Sequence, residues 1–307
     1  MANKFILDVK NLSKIYKGTH VLNNINIALE EGKIYGLIGL NGAGKTTLMK
    51  AIAGFVKPEE GRIVLFGQDG EKNLKDERKR IGCLIQSTGI LKNMTAEENL
   101  EFHRILKGIP NKEIIEELLE IVNLKEVKDK RVSTYSLGMK QKLEIAITLM
   151  GNPELLILDE PINGLDPKAI IEFREIIKKL NEEKHITIFI SSHILRELYM
   201  LASHYIILHK GEIKEHITHE EIDEKCKKYL LLSSSTPEKM AYVIENSLKT
   251  RNYRVMSDKS IQLYNYIDDK EYVARVFMDE KVLVTNLSCE CDSLEDYFMR
   301  TIGGNHV

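Results

Sequence analysis

One segment of the chain, residues 33–55, runs from an apolar strand through a glycine loop into a helix. Residues 39–46 read GLNGAGKT and match the pattern G-x-x-x-x-G-K-[ST]. Gly42 and Gly44 allow backbone N–H groups to approach a phosphate, and the N-terminus of the helix adds its positive dipole. Lys45 is placed to reach the terminal phosphates, and Thr46 offers a hydroxyl to Mg²⁺. The segment therefore predicts a nucleotide-binding α/β domain.

Two acids end a second apolar strand. The run Leu155–Leu158 is followed directly by Asp159 and Glu160. In an open α/β sheet, ligands bind at the carboxyl ends of the strands, so these acids should face the same nucleotide. We expect Asp159 to hold Mg²⁺ through water, and Glu160 to orient and polarise the attacking water as general base.

Two further polar residues follow apolar strands. His193 comes directly after ITIFISS, and Gln86 ends IGCLIQ, just before a helix-rich block. Either residue alone also suits a helix cap or an ordinary surface position. Beside the other strand ends, however, His193 is expected to contact the γ-phosphate. Gln86, at a hinge, is expected to touch Mg²⁺ or the attacking water.

The pattern of strands and helices predicts two domains. Apolar strands alternate with helices up to the segment HYIILHKG, which indicates a doubly wound α/β core, and a helix-rich insertion covers about residues 87–150. The helix starting in TAEENLEF opens with a T-x-x-E capping box. Beyond a boundary near Lys225, the order strand, helix, strand, strand, helix, strand predicts a small ferredoxin-like α+β domain over residues 226–307.

Composition limits the compartment and the partners. The 44 basic and 46 acidic residues leave a net charge of -2, which gives no sign of the concentrated positive surface that a nucleic-acid backbone requires. Apolar runs are of strand length, far short of the roughly 20 residues that cross a bilayer. The first residues lack the features of a signal peptide, and four cysteines suit a reducing compartment, so a cytosolic protein is expected. The Cys289-Glu-Cys291 pair suggests metal or redox chemistry only weakly, since a second ligand pair is lacking.

The octapeptide YSLGMKQK, residues 135–142, contains no acid, histidine or cysteine, yet it opens a helix after a loop. Together with GLNGAGKTT, Gln86, LLILDEP, NGLD and ISSH, in this order, it resembles the ATP-binding subunits of ABC transporters. The resemblance covers about residues 4–225. It implies a P-loop NTPase cassette with a mixed-sheet core, an N-terminal antiparallel β subdomain and a helical subdomain. It also implies a homodimer with each ATP between the phosphate loop of one copy and the signature YSLGM of the other.

The resemblance assigns site residues by motif position. Catalysis is implied for Glu160, His193 and Gln86, and Mg²⁺ binding for Thr46, Gln86 and Asp159. Tyr16 would stack on adenine with Val21 beside it, and Asp166 would lie in a loop that crosses the dimer interface. The residues that the resemblance implies for nucleotide binding are Tyr16, Val21, Asn41, Gly42, Ala43, Gly44, Lys45, Thr46, Thr47, Ser136, Gly138 and Asp166.

The signature departs from the common LSGGQ but keeps Ser136 and Gly138. This form of the signature resembles that of the ABC transporters that export bacitracin and lantibiotics. The ATPases of that branch also tend to carry a small C-terminal domain. Many lantibiotic-immunity ATPases have glutamate where this chain has Gln86, so a lantibiotic and a broader drug or peptide both stay open as cargo. An integral-membrane permease is the implied partner, with a helix docked near Gln86 and residues 87–93. This would place the protein peripherally on the cytoplasmic face of the membrane.

Two alternatives remain at this point. A non-transport ABC ATPase acting on ribosomes or DNA would share these motifs, although such proteins usually fuse two cassettes or separate the motifs by long coiled coils. The C-terminal domain, for its part, either binds a small regulatory ligand or packs against its dimer mate. The sequence of this domain contains no charged or glycine-rich cluster that would favour binding of a small ligand.

Overall fold

The computed structural model describes residues 5–86, 89–226, 228–292 and 294–303. The strands, in chain order, are β1 (Phe5–Tyr16), β2 (Thr19–Glu30), β3 (Ile34–Ile38), β4 (Glu60–Leu65), β5 (Ile81–Leu84), β6 (Leu155–Asp159), β7 (Thr187–Ser192), β8 (His204–His209), β9 (Glu212–Thr218), β10 (Lys228–Ser234), β11 (Tyr253–Val255), β12 (Ile261–Leu263) and β13 (Val284–Cys291). The α-helices are α1 (Lys45–Ala53), α2 (Glu71–Glu77), α3 (Ala96–Leu106), α4 (Ile114–Ile121), α5 (Leu137–Leu149), α6 (Pro167–Lys184), α7 (Leu195–Tyr199), α8 (His219–Lys225), α9 (Pro237–Asn246), α10 (Lys270–Asp279) and α11 (Leu294–Gly303).

A six-stranded sheet of order β5-β6-β7-β3-β8-β9 forms the centre of the first part of the chain. The neighbouring pairs from β5 to β8 are parallel, and β9 alone runs antiparallel. β3 and β7 are buried at every position, as is typical of parallel strands covered on both faces. Because parallel strands end at the same edge, the segments after β3, β5, β6 and β7 meet there. The predicted α/β core with a mixed sheet is confirmed.

A separate antiparallel sheet of order β2-β1-β4 confirms the N-terminal β subdomain. β1 and β2 pair with several irregularities in their register. β4 and β9 were not predicted. Both are edge strands with few buried positions, so their sequences lack the apolar alternation that identifies a half-buried strand.

The helical subdomain contains α3, α4 and α5. The capping box predicted before α3 is present, since Thr95 Oγ1 accepts from the N–H of Glu98 at 3.1 Å and Glu98 Oε2 accepts from the N–H of Thr95 at 2.8 Å. α4 buries Ile115, Leu118 and Leu119 on one face. Residues 87 and 88, at the predicted start of this subdomain, lie outside the described residues.

The chain divides into two compact units between His219 and Glu220, at the start of α8, whereas the predicted boundary at Lys225 falls at the end of that helix. In the second unit a four-stranded antiparallel sheet has the order β11-β12-β10-β13. With α9 and α10 in the two crossovers, this is the ferredoxin-like arrangement that the sequence predicts. Its core is built on apolar side chains of β10, β12, α9 and α10.

Cys289 and Cys291 are exposed at the end of β13. Over the ranges that the structure describes, no three His, Cys, Asp or Glu side chains are grouped as a metal would require. A search of those same ranges also finds no helix that is both long enough and apolar enough to span a bilayer.

Candidate nucleotide site

The glycine loop between β3 and α1 depends on two glycines for space. A Cβ on Gly39 would stand 2.6 Å from the carbonyl oxygen of Leu208, and a Cβ on Gly44 would stand 2.8 Å from that of Val21. Both neighbours are backbone atoms, which cannot rotate away. Gly42 and Gly44 also have φ values of 80° and 109°, a backbone region that side chains disfavour. The loop therefore has the shape of a phosphate cradle that excludes side chains at these positions.

Gly211, in the turn between β8 and β9, anchors the loop from outside it. Its N–H donates to the carbonyl of Ala43 at 3.0 Å, and its own carbonyl accepts from the N–H of Asn23 at 2.7 Å. The turn thus joins the glycine loop to β2. We did not predict a role for Gly211 from the sequence, because an HKGE turn between strands carries no signal of its distant partners.

Lys45 and Thr46 face the two acids at the end of β6. Thr46 Oγ1 donates to Asp159 Oδ2 at 2.6 Å. The Lys45 ammonium donates to the carbonyl of Gly39 at 2.7 Å and lies 3.2 Å from Glu160 Oε1, with only 7% of its side chain exposed. The predicted hydroxyl, ammonium and carboxylates are therefore brought together at one edge of the central sheet.

Glu160 also contacts His193. Its Oε2 lies 2.6 Å from His193 Nδ1 and accepts from the N–H of His193 at 3.2 Å. Glu160 has a φ of 49°, an uncommon backbone region for a residue with a side chain and one that clusters at functional sites. Its carboxylate thus lies between the lysine of the glycine loop and the histidine that follows β7.

The other predicted contact residues lie on β1, β2, the glycine loop, α1 and the segment after β5. Tyr16 ends β1 with 44% of its surface exposed, and the Lys14 ammonium lies 5.0 Å from the centroid of its ring. Val21, in β2, has its carbonyl against the glycine loop. Asn41 is exposed in the turn of the loop, while Thr47 lies in the first turn of α1. Gln86, exposed beyond the end of β5, has a φ of 74°.

The chemistry of these groups fits a nucleoside triphosphate with a bound divalent ion. A glycine loop at a helix N-terminus and a buried ammonium suit phosphate oxygens. A hydroxyl beside a carboxylate offers the hard oxygen ligands that Mg²⁺ prefers. Thr46 and Asp159 would hold that ion.

Ser136, Gly138 and Asp166 form a second group, at the starts of α5 and α6. Ser136 caps α5 by accepting from the N–H of Met139 at 3.2 Å, and Asp166 caps α6 by accepting from the N–H of Ala169 at 2.9 Å. A Cβ built on Gly138 would lie 2.8 Å from the Cβ of Ala169. The signature octapeptide is therefore packed against the helix that follows NGLD, and Gly138 permits that close approach.

We expect Gly138→Ala to destabilise the fold by about 1–3 kcal/mol, because the added methyl group overpacks α5 against α6. The measurement is thermal or urea unfolding followed by circular dichroism. Ala169→Gly removes the opposing methyl, so the double variant should recover much of the loss that Gly138→Ala alone causes. Strict additivity of the two substitutions would contradict this packing explanation.

Comparisons with known proteins show the family of this chain. Residues 22–163 match the sequence model of the ABC transporter family. The chain is 40% identical to the bacitracin transport ATP-binding protein BcrA of Bacillus licheniformis, over 98% of this chain and 99% of that one. It is 42% identical to the lantibiotic transport ATP-binding protein SrtF of Streptococcus pyogenes, over 71% of this chain and 95% of the other.

A solved structure with the same fold is a dimeric ATP-binding cassette in a post-hydrolysis state with ADP and phosphate bound. It is 26% identical with a TM-score of 0.63, and the match covers 69% of this chain and 98% of that one. The chain thus has the sheet order, the glycine loop and the paired acids described above, and it is related to a transport ATP-binding protein along nearly its whole length. The chain belongs to the ATP-binding subunits of ABC transporters, and it is an ATPase.

Proposed function

We propose that this subunit powers the export of a peptide antibiotic, a drug or a similar amphiphile through a separate permease, as self-protection. The observation that carries the proposal is the match to a bacitracin transport protein over 98% of this chain, a share that includes the C-terminal unit as well as the cassette. The comparisons thus favour a transport subunit over an ATPase that acts on ribosomes or DNA.

In the proposed site, the glycine loop and Lys45 bind the phosphates of ATP, and Tyr16 stacks on the adenine. Support comes from the exposed ring of Tyr16 and from the hydrogen bond between Thr46 and Asp159. When bound, Mg²⁺ would offset phosphate charge. Thr46 and Asp159 would bind it, and Gln86, in its left-handed backbone conformation, would approach it from the end of β5.

Hydrolysis needs a base that is held in place. We assign this role to Glu160, whose carboxylate would accept a proton from the attacking water and polarise that water toward the γ-phosphate. His193, 2.6 Å from that carboxylate, would orient it and contact the γ-phosphate. The exposure of His193, 45% of its side chain, supports a position that can reach a ligand.

The signature would act on the nucleotide of a second copy. Ser136 and Leu137 are exposed at the N-terminus of the 13-residue helix α5, so a hydroxyl and the positive end of a helix dipole point out of the chain. An acid there would repel a phosphate, which accounts for the uncharged start of the octapeptide. The dimeric state of the structural relative with ADP and phosphate supports a homodimer with two equivalent sites.

The permease would dock against the loop before α3. Buried Asn99 holds this loop, with its Oδ1 accepting from the N–H of Leu91 at 2.8 Å and its Nδ2 donating to the carbonyl of Leu91 at 3.0 Å. The N–H groups of Val132 and Ser133 donate to the carbonyls of Met94 and Lys92. Since Val132 and Ser133 lead directly to Ser136, a movement of the loop would be transmitted to the signature.

An exposed apolar patch on α3 extends this surface. Phe102, Ile105 and Leu106 are 43%, 63% and 70% exposed. Contiguous apolar surface of this kind is typical of protein contacts. A permease bound here would hold the ATPase at the cytoplasmic face of the membrane. The C-terminal unit would form a separate accessory domain that steadies the dimer.

The patch gives a direct test of the permease contact. Phe102→Glu should weaken copurification with the permease by about tenfold, the effect of losing roughly 1.4 kcal/mol. Phe55→Glu is the control, because Phe55 is also an exposed phenylalanine, at 67%, and lies outside the helical subdomain. Equal copurification of both variants with a tagged permease would remove α3 from the interface.

The cargo is tested in cells. A strain that lacks this subunit should be more sensitive to bacitracin or to lantibiotics, and the wild-type gene should restore resistance while the Glu160→Gln form should not. Unchanged sensitivity to both would exclude bacitracin and lantibiotics as the cargo. Isolation of the copurifying membrane protein would identify the permease.

A further inference from the structure

Ser191 lies between the two acids of the site. It is fully buried near the end of β7, where it pairs in register with Asp159 of β6. Its hydroxyl donates to Asp159 Oδ1 at 2.7 Å and accepts from the N–H of Glu160 at 2.9 Å. One hydroxyl group therefore contacts both the proposed magnesium ligand and the backbone of the proposed base.

Each contact adds a restraint on one of the two acids. Asp159 Oδ2 is bound by Thr46, so the bond from Ser191 to Oδ1 orients the second oxygen of the same carboxylate. Glu160 has a left-handed φ of 49°, and surrounding contacts must maintain such a conformation. The N–H of Glu160 donates to the hydroxyl of Ser191 on the neighbouring strand, and this bond restrains that conformation.

We propose that Ser191 is a positioning residue of the ATPase site, which orients Asp159 toward the metal and fixes the backbone from which Glu160 reaches the attacking water. This proposal rests on the roles given to Asp159 and Glu160 under the proposed function. Ser191 makes both contacts through the same oxygen, so loss of its hydroxyl should disturb metal binding and catalysis together. A side chain that only filled space in the strand would affect neither.

Adjacent Ser192 is a matched control. It is also buried, but its hydroxyl accepts from the N–H of Ile194 at 3.0 Å, in the turn after the strand. Ser191→Ala and Ser192→Ala thus remove the same group from neighbouring buried positions, and only the first contacts the acids. The readouts are kcat, the Mg²⁺ concentration for half-maximal activity, and the affinity for ATP without Mg²⁺.

We expect Ser191→Ala to lower kcat by roughly 10–100-fold, the usual effect of removing a group that orients a metal ligand. The Mg²⁺ requirement should rise, while ATP affinity without Mg²⁺ should change by less than about twofold, since the glycine loop is untouched. Ser192→Ala should leave the Mg²⁺ requirement unchanged. Wild-type kcat and Mg²⁺ dependence in Ser191→Ala, or equal losses in both serine variants, would overturn the proposal.

A second pair keeps the test valid if Ser191→Ala folds poorly. Threonine and valine have nearly the same shape and differ in the hydroxyl, so Ser191→Thr should keep the wild-type Mg²⁺ requirement and Ser191→Val should raise it. The same Mg²⁺ concentration for half-maximal activity in these two variants would refute the positioning role. Glu160→Gln distinguishes a failure of the Ser191 role from a failure of the proposed catalytic base. If Glu160→Gln is inactive and Ser191→Ala is normal, only the role of Ser191 fails, whereas turnover by Glu160→Gln would remove the catalytic assignment itself.

Discussion

Replacing Glu160 by glutamine is expected to stop ATP hydrolysis while ATP binding is retained. The amide has the size of the carboxylate but cannot take the proton of the attacking water, and a positioned base contributes roughly 10²–10⁴-fold to the rate. The substitution leaves Lys45 and the glycine loop in place, so the nucleotide should still bind. The bound ATP should then hold two copies together, because the step that would release them is blocked.

Phosphate release measures the rate, and size-exclusion chromatography with and without ATP measures the dimer. Glu154→Gln is the control, because Glu154 stands just before the opposite end of β6, where it forms an exposed ion pair with Arg80 at 2.7 Å. This variant should turn over ATP at close to the wild-type rate. Normal hydrolysis by Glu160→Gln would show that another group is the base.

Lys45→Met should abolish measurable turnover by a different route, through the loss of nucleotide binding. Charge-assisted hydrogen bonds are worth about 1.5–3 kcal/mol each, so removal of the ammonium should weaken ATP binding by roughly 10²-fold. Methionine keeps an unbranched apolar stem in a position where only 7% of the lysine is exposed. The fold should therefore survive, and calorimetric titration with ATP should report the loss of affinity.

Lys50→Met is the control, since Lys50 lies in the last turn of the same helix, α1. Its affinity for ATP should match that of the wild type. The two large effects also differ in kind, because Glu160→Gln should form an ATP-dependent dimer and Lys45→Met should not. Wild-type affinity in Lys45→Met would mean that the ammonium does not bind phosphate.

Much of this site could be predicted because its residues belong to short contiguous patterns. Lys45 and Thr46 are neighbours in a loop of defined shape, and Asp159 with Glu160 ends a strand whose apolar sequence buries it. The capping box at Thr95 and Glu98 likewise depends on contacts three residues apart. Local spacing determines such features, so one sequence is sufficient to find them.

Gly211 and Ser191 were missed for the opposite reason. Gly211 supports the glycine loop from a turn more than 150 residues further along the chain, where its sequence is that of any tight turn. Ser191 acquires two partners only when β7 lies beside β6. The one available signal for Ser191 was a pair of serines at the end of a strand, directly before His193.

By itself, the sequence determined the nucleotide loop, the acids at the end of β6, the alternation of strands and helices, and the ferredoxin-like order of the C-terminal unit. Only the tertiary structure decided which strand ends meet, why Gly138 must be a glycine against Ala169, and how one serine hydroxyl joins Asp159 to Glu160. Local patterns arise from backbone geometry and the burial of apolar side chains over a few residues. Contacts between distant segments depend on strand register and helix packing, which the sheet as a whole imposes.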